Sequence, residues 1–144
     1  MASLAVECDA IMTCFAQVTE KVVRSAQKCM VISRYGVGVD NIAVDIATEL
    51  GIPVTYVPDY CIPEVSDHVM ALLLALNRRV VLLDRSVRAS GWGSVPVTMR
   101  MMRLRGKSLG VVGFGRIGRA VAEKARAFGF DVLASDPIVA ADTV

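Results

Sequence analysis

Three glycines and one aspartate are the residues whose types and spacing could do chemistry. Gly113, Gly115 and Gly118 stand as G-x-G-x-x-G directly after the short apolar run Leu109-Gly110-Val111-Val112, and Asp136 follows eighteen residues beyond Gly118. At such a turn the first glycine lets the chain leave a strand sharply. The second removes the Cβ that would hold a pyrophosphate off the backbone, and the third lets a helix lie close against the strand. The N–H groups at the helix start, around Arg116 and Ile117, then point at the anion with the positive end of the helix dipole behind them. An acid about twenty residues on is placed to accept hydrogen bonds from the adenosine ribose. The bland alternative is a strand, turn and helix with incidental glycines.

The surroundings give the triplet its meaning. Ile117, Ala120, Val121, Ala125 and Phe128 recur at helical spacing, while Arg119, Glu123, Lys124 and Arg126 lie off that stripe, which predicts an amphipathic helix from Arg116 to Phe128. Gly129 stops it, and Asp131-Val132-Leu133-Ala134 reads as a second strand. This is half of a dinucleotide-binding βαβ unit. Asp136 would face the 2′-phosphate of NADP at close range, a like-charge repulsion of up to a few kcal/mol at an effective dielectric near ~20, and Pro137, Ile138 and Val139 cannot neutralise it. The site is therefore expected to prefer NAD.

Upstream, apolar runs alternate with helical patterns. Strands are expected over Ala10–Cys14, Cys29–Arg34 and Pro53–Val57, with helices near Thr19–Ala26 and up to Leu50. That alternation calls for a parallel sheet, an α/β unit in its own right. Between its second strand and second helix lies the turn Tyr35-Gly36-Val37-Gly38-Val39-Asp40-Asn41. Successive N–H groups there could form a small anion nest, with glycine supplying the dihedrals; a tight turn with no ligand is the alternative.

From Pro63, a residue suited to a first helical position, to about Ser90 the pattern predicts one helix of roughly 42 Å, long enough to bridge two units. Its first half is apolar on most sides, as core or subunit interface. Residues 91–107 read as a solvated connector holding the domain crossing, with Met99, Met101 and Met102 padding an interface. Domains are thus expected at 1–90, with the long helix at 63–90, and at 108–144, with the connector between.

Composition narrows the classes. The chain has 144 residues, 54% hydrophobic, with a formal net charge of +2, which suits a globular chain and shows no nucleic-acid patch. The longest apolar run, Val69–Leu76, is far short of the roughly 18 residues that span a bilayer, so no membrane partner is expected. No secretory signal is evident, and a cytoplasmic location follows by default. Cys8, Cys14, Cys29 and Cys61 show no C-x-x-C pairing and His68 is the sole histidine, so no zinc site is expected.

Four blocks, RYGVGVDNI (Arg34–Ile42), ATELGIPV (Ala47–Val54), VPDYCIPEVSDHVMALLLALNRR (Val57–Arg79) and LRGKSLGVVGFGRIGRAVAEKARAFGFDVLASDP (Leu104–Pro137), together resemble the NAD-dependent D-isomer-specific 2-hydroxyacid dehydrogenases. The resemblance is closest to the branch of phosphoglycerate-dehydrogenase-like enzymes and C-terminal binding proteins, and it runs through most of the chain. It implies a partial flavodoxin-like substrate domain followed by the first βαβ part of a Rossmann nucleotide-binding domain. Both look cut short, one before Met1 and the other after Val144. It further implies that the backbone of Val37 and Gly38 holds the carboxylate of a small 2-hydroxy or 2-oxo acid, that NAD is the cofactor, and that the complete protein is a homodimer. Ala43 departs from the acid common at that place. The family's catalytic arginine, glutamate and histidine fall later than Val144, so no residue here matches them, and His68 is not a substitute. Two functions follow: an oxidoreductase present as its N-terminal portion, or an NAD-sensing corepressor-type module without turnover. The chain by itself is expected to be inert and marginally folded.

Overall fold

A computed structural model describes residues 2–92 and 100–140. The chain divides into two compact units, Met1–Tyr60 and Cys61–Val144.

The first unit runs α1 (Ala2–Ala5), β1 (Ala10–Thr13), α2 (Glu20–Ser25), β2 (Val31–Arg34), α3 (Val44–Glu49) and β3 (Val54–Tyr56). Its strands form a parallel sheet in the order β1-β2-β3, with Ile32 paired to Ile11 on one side and Val54 on the other. A sheet whose neighbours are consecutive in sequence matches the 3-4-5 half of the flavodoxin-like order 2-1-3-4-5. Apolar residues drive the helices onto it. Val22 and Val23 of α2, Ala47 of α3, and Val18, Ile42 and Ile52 from the connections pack around the fully buried Ile32. The polar side of α2 carries Arg24, whose Nε donates to Glu20 at 2.7 Å and whose Nη2 donates to Glu49 of α3 at 3.1 Å.

The second unit runs α4 (Ile62–Asn77), α5 (Val80–Ser90), β4 (Ser108–Val112), α6 (Arg116–Ala127) and β5 (Asp131–Ser135). Strands β4 and β5 pair in parallel with Leu109 opposite Val132. Alternation along them decides the packing: Leu109 and Val132 join the core under α6, while Val112 (93% exposed) and Leu133 (63%) lie on the open face. The core is completed by Val121 and Ala125 of α6, Phe130, and Met70 of α4. Ser66, Ala122 and Ala125 are fully buried, and such small residues let helices approach closely.

Several expectations need correction. The single helix over 63–90 is two helices, because Arg79 takes the left-handed conformation (φ 55°, ψ 32°) and Asn77 turns its side chain to Met102, donating to its C=O at 2.9 Å and accepting from its N–H at 3.2 Å. The chain divides before Cys61 rather than after Ser90, since Met70 and Ser66 bury with the nucleotide-type elements. The expected connector is partly built in: Leu104 packs in the core, Gly106 N–H donates to Gly129 C=O at 2.7 Å, and Lys107 C=O accepts from Asp131 N–H at 2.9 Å. Residues 93–99 of that connector, Met99 among them, and residues 141–144 lie outside the described residues. Lys124, off the apolar stripe, has a tertiary role: its Nζ donates to Ser66 Oγ at 2.6 Å and to the Asp67 carboxylate at 2.5 Å, fastening α6 to α4. Phe128 is 47% exposed; Gly129, at φ 82°, turns the chain so that Phe130 takes the buried place.

Candidate functional site

Gly113 closes β4 at φ 90°, in the left-handed region, and its N–H donates to Ser135 C=O at 2.8 Å, so the turn departs from a strand still paired to β5. Gly118 sits in the first turn of α6, and a Cβ there would come within 2.1 Å of Gly113 O and 3.4 Å of a Val111 methyl. Only glycine lets α6 lie that close to β4. Gly115 differs from both. Its φ of −71° suits any residue, and a Cβ on it would meet nothing within 4 Å. The fold itself places no demand for glycine there. Arg119 N–H makes the first return bond of α6, to Gly115 C=O at 3.0 Å, so the N–H groups of Ile117 and Gly118 precede the helical ladder, as at helix N-termini that suit anions.

The turn is completed by a side chain that crosses to it from the residue just after β5. Asp136 Oδ2 accepts from Phe114 N–H at 2.7 Å, while its Oδ1 accepts from Ile138 N–H at 2.8 Å and Val139 N–H at 3.1 Å. These bonds, that from Phe114 foremost, hold the Asp136 carboxyl below its ordinary range. Phe114 is itself 3% exposed, and Arg119 covers it: the Nε donates to Phe114 C=O at 3.0 Å and the guanidinium carbon lies 5.4 Å from the ring centroid. The structure therefore brings Gly113, Gly115, Arg116, Ile117, Gly118 and Asp136 to one end of the β4–β5 sheet. Phe114 and Arg119 belong there too and were missed. Phe114 occupies a variable place of the motif, and Arg119 reads as a polar residue off the apolar stripe.

The turn of Val37 and Gly38 leaves β2 in the first unit. It is tied down from several directions: Tyr35 N–H donates to Thr13 C=O (3.2 Å), Val57 N–H to Gly36 C=O (3.0 Å), and the Asn41 amide to Ala16 C=O (2.8 Å). Arg34 folds back over it, its Nε donating to Gly38 C=O at 3.0 Å and its Nη1 to Tyr35 C=O at 3.3 Å. Among the described residues, the N–H groups of Val37 and Gly38 find no partner. The expected reason for the glycines is corrected, since neither Gly36 nor Gly38 has positive φ. Gly36 instead makes room for Arg34, whose guanidinium would lie 2.5 Å from a Cβ there. A groove of about 270 Å³ opens beside the turn between Phe15, Gln17, Arg34 and Asp40. His68 is exposed on α4.

Comparison with known proteins agrees with this geometry. Residues 70–143 match the family "D-isomer specific 2-hydroxyacid dehydrogenase, NAD binding domain". A glyoxylate reductase of Thermococcus litoralis is 40% identical over 133 residues, 88% of this chain and 40% of that protein. A D-3-phosphoglycerate dehydrogenase of Methanocaldococcus jannaschii is 41% identical over 123 residues, 85% of this chain and 23% of that protein. The crystal structure of a D-lactate dehydrogenase of Aquifex aeolicus, complexed with NAD and lactic acid, superposes with a TM-score of 0.89 at 28% identity, covering 99% of this chain and 43% of that one. The chain spans less than half the length of these relatives. It belongs to the D-isomer specific 2-hydroxyacid dehydrogenase family, and the domain it matches is the family's NAD-binding one.

Proposed function

We propose that this chain is the N-terminal portion of an oxidoreductase that acts on the CH–OH group of a D-2-hydroxy acid and reduces the corresponding 2-oxo acid, with NAD held on the second unit. The observation that carries this reading is Gly115, a glycine with no steric reason to be one, at a turn where Gly118 and Gly113 have such reasons. In this reading Gly113 shapes the turn, Gly115 leaves the pyrophosphate its path, the start of α6 from Arg116 to Gly118 receives it, and Asp136 accepts from a ribose hydroxyl on its remaining lone pair. Three of the roughly four lone-pair directions of Asp136 already take backbone N–H bonds, so the carboxylate is held in place before any ligand arrives. Bound NADH would supply the hydride. Val37 and Gly38 would hold the substrate carboxylate on N–H groups that have no partner among the described residues.

No described residue matches the family's catalytic arginine, glutamate and histidine, and in this reading the chain alone is inert toward 2-oxo acids. The homologues named glyoxylate reductase and D-3-phosphoglycerate dehydrogenase support a small 2-oxo acid as substrate of the complete protein. Exposed Val69, Leu72 and Leu76 on α4 support a homodimer. Among the described residues, no helix is long and apolar enough to cross a membrane. All four cysteines are free thiols, which supports the cytoplasmic setting included in this reading. An NAD-sensing module without turnover uses the same turn and remains the second reading.

NAD titrated into the chain and followed by amide NMR tests the cofactor reading. Shifts centred on residues 113–118 and 136 are expected, and their absence at millimolar NAD defeats it. Oxidation of NADH across a panel of 2-oxo acids by the complete protein separates enzyme from sensor.

A further inference from the structure

Beyond the glycine turn and its acid, one side chain at the ribose end has no assigned work. Arg119 leaves the first turn of α6 and is locked onto Phe114 by an Nε bond of 3.0 Å and by its position over the ring. Phe114 cannot yield, being 3% exposed and bonded through its own N–H to Asp136 Oδ2 at 2.7 Å. A single residue therefore holds a carboxylate on its N–H and a guanidinium on its C=O. The fork of Arg119 keeps its Nη groups without a hydrogen-bond partner among the described residues, and the side chain reaches solvent. Planar donors of this kind suit phosphate oxygens.

We propose that Arg119 is a specificity-determining residue, which offsets the repulsion between Asp136 and a 2′-phosphate and so leaves the site with a shallow rather than a steep preference for NAD over NADP. The inference rests on the cofactor reading above and deepens it. It also amends the sequence-based expectation, which looked for a neutralising cation only after Asp136 and found Pro137, Ile138 and Val139. The electrostatics point the same way: after the three backbone N–H groups, Arg119 is a further influence that lowers the affinity of Asp136 for a proton. What stabilises the carboxylate anion from that side can stabilise a phosphate dianion beside it.

The alternative is that Arg119 only clamps Phe114. A clamp would affect both cofactors alike, whereas a cation at the 2′-position affects NADP alone, so the ratio of affinities separates the two. Dissociation constants for NAD and NADP are measured by calorimetry or ligand-observed NMR at low ionic strength, on the unsubstituted chain, Arg119→Gln and Arg119→Lys. Arg119→Gln is expected to weaken NADP by about three- to ten-fold relative to NAD, an effect that shrinks at 0.5 M salt as screening sets in. Arg119→Lys, which keeps the charge, retains most of the original ratio. Equal losses for both cofactors, or an unchanged ratio, overturn the inference while leaving the cofactor reading intact. Failure of the unsubstituted chain to bind either nucleotide overturns the cofactor reading, and this inference with it.

Discussion

Two glycine-bearing turns follow parallel strands and lead toward helices in this chain, and they use glycine for different reasons. At 113–118 the backbone makes the demand: Gly113 adopts φ 90° and Gly118 leaves 2.1 Å between a would-be Cβ and a carbonyl oxygen. At 36–38 a side chain makes it, since Gly36 clears space for the guanidinium of Arg34 and neither glycine has positive φ. Obstruction by backbone cannot be relieved without moving a helix, whereas obstruction by the tip of an arginine is relieved by a rotamer change. Similar-looking turns therefore differ in what a mutation would cost and in what it would report.

Gly118→Ala should show the largest effect. Its Cβ forces α6 away from β4, and a loss of about 3 kcal/mol in stability is expected, with a lower midpoint in thermal or urea unfolding. Wild-type stability would show that the close approach is not maintained in solution.

Next comes acid. Because the Asp136 carboxyl titrates below the 3.8 of an ordinary aspartate, its contribution is complete above that value and is lost as the pH falls through its own lower pKa. Hydrogen-exchange protection of Phe114 N–H should persist down to pH 4 and fall below it, beyond any general loss of structure. Asp136→Asn should remove this step. A Phe114 amide that loses protection between pH 5 and 6 would argue against the bond.

Gly36→Ala should show the smallest effect, about 0.5–1 kcal/mol at most, as Arg34 swings away from Tyr35 C=O and Gly38 C=O. A loss as large as that of Gly118→Ala would mean that the two turns obey the same constraint after all.

These turns also show how much could be read from the sequence. Strands β1 to β5 were legible because short β-branched runs between turn residues leave little choice, and the place of Asp136 beside the glycine turn was legible from its distance to the glycines. The break at Arg78 and Arg79 was not, because neither glycine nor proline marks it and the apolar pattern continues across it; a left-handed arginine has no sequence signature. Helical periodicity also carried the apolar stripe one step too far, to Phe128, when the reversal at Gly129 hands the buried place to Phe130. The roles of Lys124 and Arg119, placed only as residues off the apolar stripe, were not legible because their partners, Ser66 on α4 and Phe114 inside the turn, come from tertiary packing that no local window contains.

Gly115 gives the most direct test of the NAD site. A Cβ at this position meets no protein atom within 4 Å and the backbone φ is −71°, so Gly115→Ala should leave the unfolding midpoint within experimental scatter, about 0.5 kcal/mol, of the unsubstituted chain. If the turn receives a pyrophosphate, the same substitution should weaken NAD by at least about ten-fold, because the methyl group occupies the path of the anion to the N–H groups. Unchanged stability with lost NAD binding is the predicted result, and unchanged stability with unchanged NAD affinity would contradict the assignment of this turn as the cofactor site.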